Sequence, residues 1–219
     1  MFLSFNFIFF IQFKNEHLDK KIHYSFNFNS LILLIPFLIG IFQVNAQNIP
    51  KTDADKALVA AALHGDVQGI KKAINDGANI NVQDEDGFTP LNRAAKLSYY
   101  HLVYYFTQLG ADVNIPNNNK ITALHYGVEY NNVKIVRLLL ANNANIDARD
   151  GIQECPLHWA GWTGNYEVAK LLLKHGANPY AKNNTNITPI DLTIRQEHKK
   201  LEILFKRKKY KKLKSDYHI

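Results

Sequence analysis

The chain has 219 residues, of which 47% are hydrophobic, so it can bury enough apolar surface for one domain or one modest repeat array. It contains one cysteine, which excludes an intramolecular disulfide framework and a zinc site built from several thiolates. The net charge is +7, and residues 199–219, with nine basic and two acidic side chains, account for all of it. Residues 1–198 are therefore near neutral, and we expect an electrostatic bias only at the C-terminal end.

The first notable segment is an apolar run, Leu31–Val44, which is shorter than a membrane-spanning helix requires. It is followed by Asn45 and Ala46, and lysines precede it, as in a signal peptide cleaved after Ala46. We therefore assign residues 1–46 to a signal peptide, with an uncleaved membrane anchor as the alternative. The abundance of Asn, Lys and Ile is typical of an AT-rich genome, and we expect a bacterial protein exported to the periplasm or beyond the cell.

Two short motifs recur at a constant interval between positions 51 and 198, and the two series keep the same phase. The first series reads Thr89-Pro90-Leu91-Asn92, Thr122-Ala123-Leu124-His125, Cys155-Pro156-Leu157-His158 and Thr188-Pro189-Ile190-Asp191. The second series starts at Gly77, Gly110, Asn143 and Gly176. A Thr before a Pro favours the start of a helix, and Gly or Asn favours its end. Each period therefore predicts two short helices and a polar turn.

These motifs resemble the ankyrin repeat, whose unit opens with Thr-Pro-Leu-His and closes with Gly-Ala-Asp-Val-Asn. The resemblance implies an all-α fold, a solenoid of helix-turn-helix units with short projecting hairpin loops. We divide the array, residues 51–198, into units 51–83, 84–116, 117–149 and 150–182, followed by a partial capping unit, 183–205. Residues 206–219 form a basic tail.

The sequence Glu154-Cys155-Pro156-Leu157-His158 could be mistaken for a metal or nucleophile site. In the register of the repeat, however, Cys155 takes a threonine position and His158 takes the position of His125. We interpret both as residues that start a helix, and we expect the histidines to hydrogen-bond the neighbouring turn. Residues 84–87 lack the ligand pattern of a calcium loop. We expect no enzyme activity, no metal and no cofactor.

The resemblance implies that partners bind the hairpin tips and the inner face of the first helices, which line a concave surface. We expect Phe88, Tyr130 and Trp162 to contribute most, because large amphipathic aromatic residues dominate protein interfaces. The other candidates are Lys96, Glu85, Asp86, Asn118, Asn119, Ile121, Arg149 and Glu154.

Two functions remain open from the sequence. The first is a monomeric, non-catalytic module that binds an unidentified protein and takes no small-molecule substrate. In the alternative, the basic tail associates with an anionic membrane surface or with nucleic acid.

Overall fold

The computed structural model describes residues 52–206. The expected signal peptide and all of the basic tail except Lys206 lie outside the described residues. Within this range the chain forms ten helices and no strand. They are α1 (Asp53–His64), α2 (Val67–Asn75), α3 (Pro90–Lys96), α4 (Tyr100–Gln108), α5 (Ala123–Glu129), α6 (Val133–Ala141), α7 (Pro156–Thr163), α8 (Tyr166–Lys174), α9 (Pro189–Arg195) and α10 (199–206).

The ten described helices form five antiparallel pairs, and the pairs stack in chain order. The first helices (α1, α3, α5, α7 and α9) contact one another along the stack, while α4 contacts α6 and α6 contacts α8 in a second layer. The predicted all-α helix-turn-helix solenoid is confirmed. No helix in residues 52–206 combines the length and apolar character needed to cross a bilayer.

The predicted helix starts are confirmed, since Thr89, Thr122, Cys155 and Thr188 are the N-cap residues of α3, α5, α7 and α9. The Thr89 hydroxyl, for example, accepts the Asn92 N–H at 3.1 Å. The predicted left-handed positions are also observed, with φ of 89° at Gly77, 80° at Gly110, 63° at Asn143 and 97° at Gly176.

The second helices supply much of the core between the layers. The side chains predicted to face inward are buried or partly buried. They are Leu102, Val103 and Phe106 on α4, Ile135, Val136, Leu139 and Leu140 on α6, and Val168, Leu172 and Leu173 on α8. Small residues let the first helices approach closely, because a Cβ atom on Gly161 would lie 2.5 Å from the Pro189 carbonyl oxygen. A larger side chain there would force α7 and α9 apart.

Each hairpin between pairs is closed by one side chain, at Asp84 and its counterparts in the following units, Asn117, Asp150 and Asn183. In all four, Oδ1 accepts the backbone N–H groups of the residues two and four positions further on. Such side-chain turns replace backbone hydrogen bonds that an exposed loop would otherwise lack. The four loops therefore share one geometry.

Buried side chains also connect successive pairs. Nε2 of His125 donates to the Glu154 carbonyl oxygen at 3.3 Å, and Nε2 of His158 donates to the Ile187 carbonyl oxygen at 3.1 Å. Both histidines are fully buried, and their Nδ1 atoms accept the N–H of Thr122 and Cys155. Each histidine thus caps its own helix and holds the next hairpin, as the sequence predicted.

Asn92 holds the equivalent position in the second pair and performs this role less completely. Its Nδ2 donates to the Ile115 carbonyl oxygen at 2.9 Å, but its buried Oδ1 has no hydrogen-bond partner among the described residues. A buried unpaired polar atom costs about 1 to 3 kcal/mol.

We therefore predict that Asn92→His raises the free energy of unfolding by about 1 kcal/mol, because the imidazole can accept the Thr89 N–H and reach the following hairpin. Urea unfolding of the purified protein measures this change. The reverse substitution, His125→Asn, should lower stability by a similar or larger amount. Equal midpoints for Asn92→His and the parent protein would contradict the explanation.

Candidate functional site at the ends of the first helices

Exposed apolar side chains mark the C-terminal ends of four successive first helices. Leu63 is 44% exposed, Leu97 38%, Tyr130 48% and Trp162 49%. We call this row, with the neighbouring Lys96 and Glu129, the first-helix surface. Exposed aromatic and aliphatic groups at the same end of successive helices are typical of surfaces that bind another protein.

The backbone conformation explains why these side chains are exposed to solvent. Each first helix ends at a left-handed residue: Gly65, Ser98, Asn131 and Gly164 have φ of 72°, 57°, 50° and 72°. These residues occupy equivalent positions in successive units, and each lies one or two positions after an exposed apolar side chain. The chain turns sharply there to start the second helix, so no following turn of helix covers the row.

A layer of aromatic rings lies among the residues of the hairpins and first helices. The rings of Phe88 and Tyr126 stack with centroids 5.6 Å apart, and Tyr126 meets Trp159 edge to face at 6.4 Å. His125 also contacts Trp159, with ring centroids 5.2 Å apart. These contacts join three successive units and give the first-helix surface a rigid support.

Phe88 is not the exposed hairpin-tip residue that the sequence predicted, because only 6% of it is exposed. The Arg93 guanidinium lies 3.9 Å from the centroid of its ring, the Lys96 ammonium lies 5.0 Å away, and Tyr126 stacks on the ring. Phe88 therefore belongs to the supporting layer.

Glu154 is likewise buried and not exposed at a hairpin tip as predicted, since only 5% of it is exposed. Its Oε1 accepts the Asn183 side-chain N–H at 2.9 Å, which ties one hairpin to the next. Burial raises the pKa of its carboxyl group, and the Asn183 hydrogen bond and the nearby Trp162 side chain oppose this increase. Glu154 acts as a buried link between hairpins.

The remaining candidates stay predictions, and the structure separates them by accessibility. Glu85, Asp86, Asn118 and Asn119 are exposed at the hairpins, whereas Lys96, Ile121 and Arg149 are partly buried. Several of these side chains already have partners within the chain. Asp86 pairs with Arg93 at 3.1 Å, Asn118 donates to the Glu85 carbonyl oxygen at 2.9 Å, and Arg149 donates to the carbonyl oxygens of Gln153 and Lys182.

The charges beside Tyr130 are partly shielded from water. Partial burial raises the pKa of Glu129, and the Lys96 ammonium opposes this shift. Burial and the Glu129 charge both raise the pKa of Tyr130. The exposed tyrosine thus lies beside a carboxyl group that in turn interacts with Lys96.

Cys155 and His158 have the geometry of a helix cap. The Cys155 sulfur lies 3.0 Å from Nδ1 of His158, and the cysteine is fully buried. Burial raises the pKa of the thiol, which favours the unreactive protonated form. The described residues contain no cluster of three or more His, Cys, Asp or Glu side chains able to hold a metal ion.

Sequence reasoning missed one repeating contact between the hairpins and the first helices. Arg93 Nε donates to Asp84 at 2.8 Å, Asn117 donates to the Tyr126 hydroxyl at 3.0 Å, and Trp159 Nε1 donates to Asp150 at 2.9 Å. In each of these bonds the two residues are nine positions apart, and the pairing repeats in three successive units. A comparison of the polar residues at equivalent positions of the repeats could have revealed it. These bonds orient the hairpins relative to the aromatic layer.

The stacked helix pairs, the shared hairpin geometry and the exposed first-helix row define a helical repeat protein of the interaction-module type. A family model described as ankyrin repeats (3 copies) matches residues 22–117 and 98–183. The two matches together span most of the chain, and the protein belongs to the ankyrin repeat family. No curated protein matches the sequence. Ankyrin repeats are protein–protein interaction modules and are generally non-catalytic, so the class of partner is protein.

The buried histidine of the third pair predicts a measurable pH dependence of stability. Burial lowers the pKa of His125 from 6.5 to about 4 in the folded protein. Between these values the unfolded chain binds more protons, so lowering the pH from 6.5 to 4 destabilises the fold by up to about 3 kcal/mol. Above about pH 7.5 His125 is neutral in both states and its contribution is constant.

Urea unfolding between pH 7.5 and pH 4 tests this prediction. His125→Gln should reduce the loss of stability across this range, while the exposed His64→Gln serves as the matched control. The same loss in His125→Gln as in the parent protein would contradict it.

Proposed function

We propose that the protein is a non-catalytic, exported module that binds a protein partner through its first-helix surface. Tyr130 and Trp162 are the principal contacts, and the observation that carries the proposal is their exposure, 48% and 49%, on successive units. Tyr and Trp are enriched among residues that contribute most to binding energy, because they bury a large area and retain a hydrogen-bonding group.

The setting of these residues supports this assignment. The aromatic layer limits the movement of the helices that carry them, so little conformational entropy is lost when a partner binds. Lys96 and Glu129 lie at the edge of the apolar row and supply polar groups of both signs. Such an arrangement fits a partner segment with apolar side chains at its centre and polar groups at its border.

Export is part of the proposal and rests on the sequence of residues 31–46. The apolar run and the small residue Ala46 support a cleaved signal peptide, and an uncleaved anchor is the alternative. The intact mass of the mature protein distinguishes the two, because retention of residues 1–46 would exclude cleavage.

The second candidate function uses the basic C-terminal tail, residues 206–219. The concentration of nine basic and two acidic residues in 199–219 favours contact with an anionic membrane or with nucleic acid. In this case the repeats would hold the tail in position and bind no protein.

The experiment begins with capture of binding proteins from an extract by the immobilised full chain. The captured protein is then titrated against variants. We expect Tyr130→Ala combined with Trp162→Ala to weaken binding by at least about 30-fold, since each side chain contributes about 1 to 2 kcal/mol or more. Urea unfolding confirms that the variant remains folded.

Tyr104→Ala provides a matched control, because Tyr104 is 49% exposed but lies on the second helix α4. Its affinity should equal that of the parent protein. A partner that binds the double variant as tightly as the parent protein would contradict the first-helix assignment. Loss of binding on removal of residues 207–219 alone would favour the tail.

A further inference from the structure

The described part of the chain has no net charge, yet its charges are strongly separated. Residues 52–206 contain 16 basic and 16 acidic side chains. The second helices, α2, α4, α6, α8 and α10, carry nine of the basic residues and only two of the acidic ones, a net charge of +7. The first helices, hairpins and turns carry the remaining seven basic and fourteen acidic residues, a net charge of −7. The near-zero net charge expected for the repeat array is present, but it conceals a separation of charge between parts of the fold.

In α2, α6, α8 and α10 the basic residues concentrate on one side of the helix, whereas α4 carries no Lys or Arg. Positions 68, 71 and 75 and their counterparts in the other units are exposed in every second helix for which they are described. Spacings of three, four and seven place them on a single helix face. We call this exposed side of the five helices the outer surface. Its basic members are Lys71, Lys134, Arg137, Lys170, Lys174 and Lys200, and exposed Lys72, Lys199 and Lys206 flank it.

Little within the described chain neutralises this charge. Among residues 52–206, Lys206 is the one member of these nine that forms an ion pair, with Glu202. Lys200 lies over the Tyr166 ring at 4.3 Å, and the other acidic residue of the second helices is the exposed Glu167. Unpaired like charges on neighbouring helices repel one another, so an anionic partner would relieve an unfavourable interaction.

The same surface carries amphipathic and aliphatic groups between the cations. Tyr100 and Tyr104 are 42% and 49% exposed on α4, and Ile203 is 52% exposed on α10. Tyrosine favours the interface between a membrane and water, where its ring lies among headgroups and its hydroxyl stays hydrated. Basic charge combined with exposed apolar groups is the pair of features that gives stable association with an anionic bilayer.

We propose that the outer surface binds the anionic face of a lipid bilayer. Neighbouring packed helices lie about 8 to 10 Å apart, so the contacting helices α4, α6 and α8 alone present a surface roughly 20 Å across, which suits a broad target. Eight of the nine basic residues are lysine, which acts as a point charge and lacks the forked donors with which arginine recognises phosphate. Nucleic acids are bound by grooves or by elements that enter a groove, and this face consists of parallel helix sides.

Cosedimentation of the full chain with vesicles tests the proposal. The vesicles contain phosphatidylcholine alone or phosphatidylcholine mixed with phosphatidylserine, and the neutral vesicles measure any contribution from the apolar N-terminal segment. We expect tighter binding to the anionic vesicles. Raising the salt from about 0.1 M to about 1 M, where the Debye length falls from about 10 Å to about 3 Å, should remove this preference.

The decisive variant replaces Lys134, Arg137 and Lys170 with glutamine. Each basic residue near an anionic bilayer contributes about a fivefold factor, so the variant should bind anionic vesicles about 100-fold more weakly. The control replaces Lys56, Lys120 and Lys182 with glutamine, an equal change in net charge at exposed residues outside the second helices. We expect its binding to fall by less than about fivefold. Urea unfolding checks that both variants are folded.

Equal losses for the two triple variants would overturn the proposal, because binding would then follow net charge alone. Tighter binding to an RNA oligonucleotide than to anionic vesicles at the same salt, lost in the outer-surface variant, would assign the surface to nucleic acid and also overturn it. The proposal is independent of the protein partner. Tyr130→Ala with Trp162→Ala should leave vesicle binding unchanged, whereas the outer-surface variant should leave partner affinity unchanged.

Discussion

The hydrogen bond from a buried first-helix histidine to the carbonyl oxygen of the next hairpin is the interaction on which the rest of the structure depends. A helix pair of this size cannot bury its apolar face alone, so each unit is stable only against its neighbours. His125 and His158 cap their own helices and hold the following hairpins at Glu154 and Ile187. Because these bonds are buried, a displaced hairpin would leave polar groups unpaired, and at these two junctions the position of one unit is fixed relative to the next.

Because the repeat motifs recur at a constant interval, the fold could be predicted from the sequence. Each backbone feature of a unit, such as the cap at Thr122 or the left-handed Asn143, follows from local physical chemistry that acts within a few residues. The choice of His, Asn or Cys at a repeated position could also be interpreted, because its counterparts in the other units define its role. This is why Cys155 could be recognised as a helix cap.

Side-chain accessibility was less predictable, because it depends on contacts between units. Phe88 lies at a hairpin position where an exposed residue was expected, yet Arg93, Lys96 and Tyr126 surround its ring. Glu154 is buried through its bond to Asn183, 29 residues away. The separation of charge was missed for a related reason. A sum along the chain averages over helices that the fold places on different surfaces.

Two surfaces of one scaffold are assigned to two different targets, and hydrogen exchange of the full chain tests this assignment most directly. Backbone exchange would be followed by mass spectrometry in the presence of the captured partner and, separately, of anionic vesicles. We predict that the partner protects the ends of α3, α5 and α7, around Leu97, Tyr130 and Trp162, and that vesicles protect the second helices, α2, α4, α6, α8 and α10. Protection of the same helices by both ligands, or protection by the partner confined to the second helices, would contradict the assignment.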